Sequence, residues 1–332
     1  MRLLKTLAAG AAIAAVFAVA PASAQTIKIA LLVKNLGNGF FDAANKGAQE
    51  AAKELGNVEV IYTGPTQATP EGQSDIIRSL IAQKVNAIAI SANDKDALVP
   101  DLQNAMKAGI TVISFDSGVA KEGRQLNLLP SGTELIGDTN VKLASDIAKA
   151  NNIAKAKTAI LSATSTATNQ NAWIEVMKKV VGNYPNIDLV DTVYGDDKQD
   201  KSYTEAEALI NKGVQIIIAP TTVGIAAGSQ VVEDKKLVGK VFVTGLGLPS
   251  EMAAHVKSGA SPSFALWNPI DLGYAATTIA YNLATGKAKA EPNGSVPMGR
   301  MGTLKLNADL EGPMANPFVF DKSNIDEFSK IY

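Results

Sequence analysis

The sequence predicts an α/β protein of two lobes, each a parallel sheet flanked by helices, and three observations lead there. Short apolar runs alternate with Ala-rich stretches of helical spacing over most of the chain. The runs are apolar at consecutive positions, the pattern of strands covered on both faces. The alternation restarts near the middle of 332 residues, a length that suits two domains of roughly 100–200 residues each.

In chain order, Arg2 and Lys5 form a basic head, Leu7 to Ala20 is an apolar run, and Pro21-Ala22-Ser23-Ala24 offers small residues before a cut between Ala24 and Gln25. Residues 1–24 are read as an export signal, because Pro21 and the Ala22-x-Ala24 site oppose an uncleaved anchor. No later stretch approaches the ~20 apolar residues of a spanning helix.

Ile27–Val33 is then the first strand and Phe41–Leu55 the first helix, with Phe41, Ala44, Ala48, Ala51 and Leu55 at helical spacing. Val58–Tyr62, Ala87–Ser91 and Thr111–Phe115 read as strands, separated by helices near Gly72–Gln83 and Ala97–Ala108. Gly56 and Gly109 stand just past helix ends, where a left-handed cap is wanted. In the second half the strands are Ala159–Ala163, Ile187–Tyr194, Gln215–Ala219 and Val241–Gly245. Their helices lie near Asn169–Val181, Ser202–Asn211, Gly224–Glu233 and Pro249–Lys257. Gln125–Pro130 and Ser263–Asn268 are extended segments at the change of lobe, and Asp271–Leu283 has the periodicity of a helix returning to the first lobe. From Gly294 onward the chain reads as a meandering extension with short strands such as Gly302–Leu306. The expected first lobe is residues 25–127 with about 268–296, and residues 128–267 with about 297–332 are the expected second lobe and hinge.

Composition narrows the function. Lys+Arg 31 against Asp+Glu 32 gives a formal charge of −1, which opposes a nucleic-acid or polybasic membrane binder. With 46% hydrophobic and 19% charged residues a packed core is expected. Cys 0 excludes thiolate catalysis, disulfides and Cys-ligated metal, and a single His excludes a multi-His metal site. No metal and no cofactor are expected.

Open α/β sheets bind ligands at the carboxyl ends of their strands, so the candidate residues are sought there. Lys34, Asn38, Phe40 and Phe41 follow the first strand; Gly37 and Gly39 suggest a dinucleotide loop, but Asp42 stands where its third Gly belongs. One Phe of the adjacent pair is as readily a core residue as a site residue, since neighbouring helical positions face different ways. Asp116 ends the Thr111–Phe115 strand as a hydroxyl-gripping acid or as a plain turn residue. Asn169, Gln170 and Trp173 open a helix after the Ala159–Ala163 strand, where Asn169 could equally be a cap. Pro220 and Thr222 close the Gln215–Ala219 strand, and Trp267 with Asn268 offers stacking beside an amide, a combination suited to a carbohydrate ring. Asp196-Asp197 with Asp200 lacks the Gly and Glu spacing of a calcium loop and is read as a solvated helix start. His255 is expected to be idle on a surface helix. No nucleophile-and-base set emerges.

At these residues the chain resembles the periplasmic sugar-binding proteins of ABC importers, type I, the ribose-binding group. The landmarks are the NxFF-like end of the first strand (Asn38, Phe40, Phe41), Phe115-Asp116 and Asn268-Pro269, in order at successive strand ends. Within that group Lys34, YTGPT at Tyr62–Thr66, NQNAW at Asn169–Trp173 and IIAP at Ile217–Pro220 resemble the branch of rhamnose-binding proteins and Lsr-type autoinducer-2 receptors. The resemblance implies two Rossmann-like lobes joined by a multi-segment hinge, closing on a small-molecule sugar ligand. It also implies a periplasmic monomer that hands the ligand to an ABC transporter permease of the inner membrane. Autoinducer-2 receptors, it further implies, use a Lys and an Asp of the first lobe, an Asp-Gln pair, then Pro and Ala. Lys34, Asp116, Gln170 and Pro220 match, whereas Asn169 and Thr222 replace the Asp and the Ala. Ribose-binding relatives place an Asp after the fourth strand of the second lobe, where this chain has Leu246-Gly247-Leu248. Fewer acids and more aromatic wall favour a deoxysugar, rhamnose first, with autoinducer-2 as the alternative. An exported carbohydrate-active enzyme is a distant alternative, because a glycosidase needs two carboxylates roughly 5–10 Å apart and only Asp116 emerges. A transcription regulator is opposed by the export signal and the missing helix-turn-helix.

Overall fold

The structure, a computed structural model, describes residues 26–331; the export-signal reading of residues 1–24 falls outside the described residues. The first half runs β1 (Ile27–Leu32), α1 (Gly39–Leu55), β2 (Val58–Thr63), α2 (Pro70–Ala82), β3 (Ala87–Ile90), α3 (Val99–Lys107), β4 (Thr111–Phe115) and β5 (Leu126–Leu129). β3 and β4 are buried along their whole length, so both faces are covered and apolar residues occupy consecutive positions. Gly56 caps α1 with φ +80°, the left-handed turn its sequence position predicts.

The second half begins with a helix the sequence reading leaves unassigned, α4 (Thr133–Ala150), whose buried face carries Ile136, Val141, Leu143, Ala144, Ile147 and Ala148. It continues through β6 (Ala156–Ser162), α5 (Thr168–Val180), β7 (Ile187–Tyr194), α6 (Gln199–Asn211), β8 (Ile216–Ala219), α7 (Thr222–Asp234), β9 (Phe242–Gly245) and α8 (Pro249–Ser258). The remainder is β10 (Ser263–Leu266), α9 (Pro269–Ala284), β11 (Ser295–Pro297), β12 (Thr303–Lys305), β13 (Glu311–Pro313), β14 (Phe318–Asp321) and the single turn α10 (Ile325–Phe328).

Two sheets result. The first has the order β13-β5-β4-β3-β1-β2 and the second β7-β6-β8-β9, with every neighbour parallel. Strand order reverses between β1 and β3 and again between β6 and β8, and these switch points open the crevices in which such sheets bind ligands. β5 pairs with β4 inside the first sheet, and β10 pairs antiparallel with β14. The chain passes between the lobes after β5, between β10 and α9, and between β13 and β14. The tail therefore does not stay with the second lobe as the sequence reading expects. β13 extends the first sheet beside β5 before β14 rejoins β10, because the backbone groups on the open edge of β5 need a partner.

α9 returns to the first lobe and crosses α1 at backbone distance. A Cβ on Gly47 would lie 1.7 Å from the Ile270 carbonyl oxygen, and one on Gly273 would lie 1.8 Å from that of Ala44. Two glycines thus let two helices touch where any side chain would hold them apart. Among the described residues no helix is long and apolar enough to cross a membrane.

Candidate functional site

A pocket lies between the lobes at the carboxyl ends of their strands. Lys34 follows β1, Asp116 follows β4, Asn169 and Gln170 open α5, Pro220 and Thr222 follow β8, and all line it together with Asn38, Phe40, Phe41, Trp173 and Trp267. The lobes touch across it. Lys34 Nζ donates to Asn169 Oδ1 at 2.9 Å, and Asn169 Nδ2 donates to Asp116 Oδ1 at 3.1 Å. The Lys34 ammonium stands 4.0 Å from Asp116 Oδ2, with both side chains buried.

Each of these groups is held from behind. Gln73, fully buried on α2, donates to the carbonyls of Val33 and Ser91 and accepts from the Asn93 amide; Asn93 Nδ2 in turn donates to the carbonyl of Lys34. The ends of β1 and β3 are thereby locked at one spacing. Ser91 Oγ donates to Asp116 Oδ2 at 2.8 Å. Asp116 has φ +58°, a left-handed backbone that Asp tolerates better than most residues and that recurs at functional sites. Burial pushes its carboxyl above the usual range, against the opposing pull of Lys34 and the hydrogen bonds from Ser91 and Asn169.

One wall is aromatic. Trp173 and Trp267 meet edge to face at 5.7 Å, Phe40 meets Trp267 at 6.2 Å, and Phe40 meets Phe41 at 5.2 Å. Leu246 and Leu266 complete it. Two buried polar atoms of the lining lack partners among the described residues, Gln170 Oε1 and Trp267 Nε1. An unpaired buried acceptor and an unpaired buried donor are costly to keep, and both belong to residues that line the pocket.

Eleven of the twelve sequence-predicted residues come together here. Asn268 does not: it is the N-cap of α9, accepting from Ile270 N at 2.9 Å and Asp271 N at 3.4 Å while donating to Asp271 Oδ2. Phe40 and Phe41, on the first turn of α1, both line the pocket and both are buried in the hydrophobic core, so the core and site readings meet at this pair. Asn169 is not a cap; its amide bridges the lobes.

The residue missed is Asp197. Its sequence context reads as a solvated helix start, yet it lines the pocket, with Thr221 Oγ1 donating to its Oδ1 at 2.6 Å. Burial raises its carboxyl pKa, opposed by Lys34 and Thr221. The expectation that no second acid joins Asp116 is corrected with it. The available signal was position: Asp197 follows β7 at the same sheet edge as the other lobe-two residues. His255 is only partly exposed, with Nδ1 2.9 Å from Glu233 Oε1 on α7, away from the pocket. Among the described residues no group of three or more His, Asp or Glu is placed to hold a metal ion.

Residues 29–288 match the family described as periplasmic binding protein domain. A solute-binding protein of an ABC transporter from Clostridium phytofermentas, solved with bound L-rhamnose, is 37% identical with a TM-score of 0.87, over 93% of this chain and 100% of that one. LsrB from Clostridium saccharobutylicum in complex with AI-2 has a TM-score of 0.86 at 24% identity, over 91% and 99% of the two chains, a likeness of fold. The D-ribose/D-allose-binding protein of Pseudomonas aeruginosa is 32% identical over 117 residues, which is 35% of this chain and 36% of that relative.

Proposed function

The chain belongs to the periplasmic binding proteins, and on that premise we propose that it captures a neutral monosaccharide, L-rhamnose first, and delivers it to the permease of an ABC transporter. The observation that carries the sugar is the division of the pocket. Lys34, Asp116 and Asn169, joined by hydrogen bonds, and Gln170 beside them suit a row of hydroxyls; Phe40, Trp173 and Trp267, joined by ring contacts, and Leu246 suit a ring face and a methyl group. A 6-deoxyhexose has that same division. Leu246, 3% exposed at the end of β9, gives this wall nothing to hydrogen-bond a hydroxymethyl group. The 37% identity to the L-rhamnose-bound neighbour along nearly the whole chain supports the same ligand.

Capture proceeds by closure. Lys34 and Asp116 belong to one lobe, and Asn169, Gln170 and Trp173 to the other, so the full set of contacts exists only when the lobes meet. The ligand shifts the open–closed equilibrium by its better contacts with the closed form, which the permease then reads. Export to the periplasm and action as a monomer are part of this proposal, and no chemical step is: the ligand leaves as it came. Autoinducer-2 fits less well. An Asp in place of Asn169 would set a second carboxylate where Asn169 Nδ2 now donates to Asp116.

A thermal-shift screen against monosaccharides and autoinducer-2 tests the reading. L-rhamnose at 100 times its dissociation constant should stabilise by about 2.7 kcal/mol, with ribose giving little; a shift with autoinducer-2 alone would overturn the assignment. Mass spectrometry of the released ligand should return unchanged sugar.

A further inference from the structure

We infer that Asp197 is the second-lobe residue that reads a ligand hydroxyl, and that with Asp116 it makes the site selective for neutral sugars against sugar acids. The inference rests on the sugar-binding reading above.

The local backbone first sets Asp197 apart. Asp196 and Asp197 have φ +55° and +51°, two successive left-handed residues after β7. Asp196 is tied away from the pocket by Lys201 Nζ at 2.7 Å, while Asp197 lines the pocket and takes the Thr221 hydroxyl at 2.6 Å. Helix capping does not explain it, since α6 starts at Gln199 behind Lys198 with no side-chain cap.

The acceptor count comes next. A carboxylate offers about four acceptor positions. Asp116 uses its own on Ser91, Asn169 and the nearby Lys34. Asp197 makes one side-chain hydrogen bond and no ion pair among the described residues, so it keeps acceptors free beside the cavity. Lys34 is the one cation of the lining, against two carboxylates. The pocket therefore favours hydroxyl donors, and a ligand carboxylate would meet like charge where water is scarce.

Asn tolerates a left-handed backbone as Asp does, so Asp197→Asn preserves a turn and removes only the anionic acceptor. Calorimetric titration of the purified protein with L-rhamnose should show ten- to a hundredfold weaker binding for D197N, with cooperative melting retained. D200N, altered at an exposed neighbour, should bind as the wild type does. D-galacturonate should not bind the wild type. Thr221→Val removes the hydroxyl that positions Asp197 and should cost about three- to tenfold, which keeps the test decisive if D197N folds poorly.

Wild-type rhamnose affinity in a folded D197N, or in T221V where D197N does not fold, would overturn the role of Asp197 and leave the sugar reading standing. A wild type that binds D-galacturonate more tightly than L-rhamnose would overturn the selectivity. A wild type that takes no neutral sugar would overturn both this inference and the reading beneath it.

Discussion

Asp116 combines a left-handed backbone with a buried carboxylate, two unfavourable features at one residue that a purely structural position would have no reason to keep. Its folded-state carboxyl lies above the value of about 3.9 expected in the unfolded chain. The folded state therefore holds this proton more tightly, so the Asp116 contribution to stability is present at acid pH and lost as pH rises through the folded pKa. In the unliganded protein, thermal unfolding of wild type and Asp116→Asn across pH 4–7 should show the balance moving toward the wild type as pH falls. A balance constant with pH would mean that burial does not raise this carboxyl. D116N should also bind L-rhamnose ten- to a hundredfold more weakly, because a charged acceptor is lost. At this scale most of the site was legible, since strand-end position sufficed for Lys34, Asp116, Asn169 and Gln170. Asp197 escaped because three acids close together look like a solvated helix start. Only tertiary structure shows that Lys201 turns one of them outward and Thr221 holds another at the pocket.

Among the elements, the parallel strands were readable because burial on both faces leaves an unbroken apolar run, as in Ala87–Ile90 and Ile216–Ala219. α4 was not read, although its buried positions recur with helical spacing; it starts behind Gly132 without a side-chain cap and carries buried Asn140 and Ser145 on its inner face. The tail was misplaced for another reason. β13 is three residues long and stabilised by pairing with β5 and by Arg124, which donates to the carbonyls of Asp309 and Leu310 and pairs with Glu311. Non-local contacts of that kind leave no local periodicity. The α1–α9 crossing makes the sharpest stability prediction. Gly47→Ala would drive a methyl into the Ile270 carbonyl, which cannot yield as a flexible side chain does. A loss of about 2–3 kcal/mol is expected, lowering the melting temperature by on the order of 5–10 °C. Gly182→Ala, with open space around it, should leave the melting temperature nearly unchanged.

At the scale of the whole molecule the central proposal is that a neutral sugar is captured between two lobes and enclosed by residues of both. The chain carries its own reporter of this event. Trp173 and Trp267 are the only tryptophans in the sequence; both line the pocket, 5.7 Å apart and nearly inaccessible to solvent. A sugar closing against that wall must change their surroundings, and no other tryptophan dilutes the signal. Tryptophan emission followed during titration with L-rhamnose is therefore the most direct measurement. A saturable change at one sugar per chain is predicted, diminished when Trp267 is replaced by Phe and weakened by D116N. Emission that stays constant through saturating L-rhamnose, or that responds to autoinducer-2 and to no neutral sugar, would contradict the account.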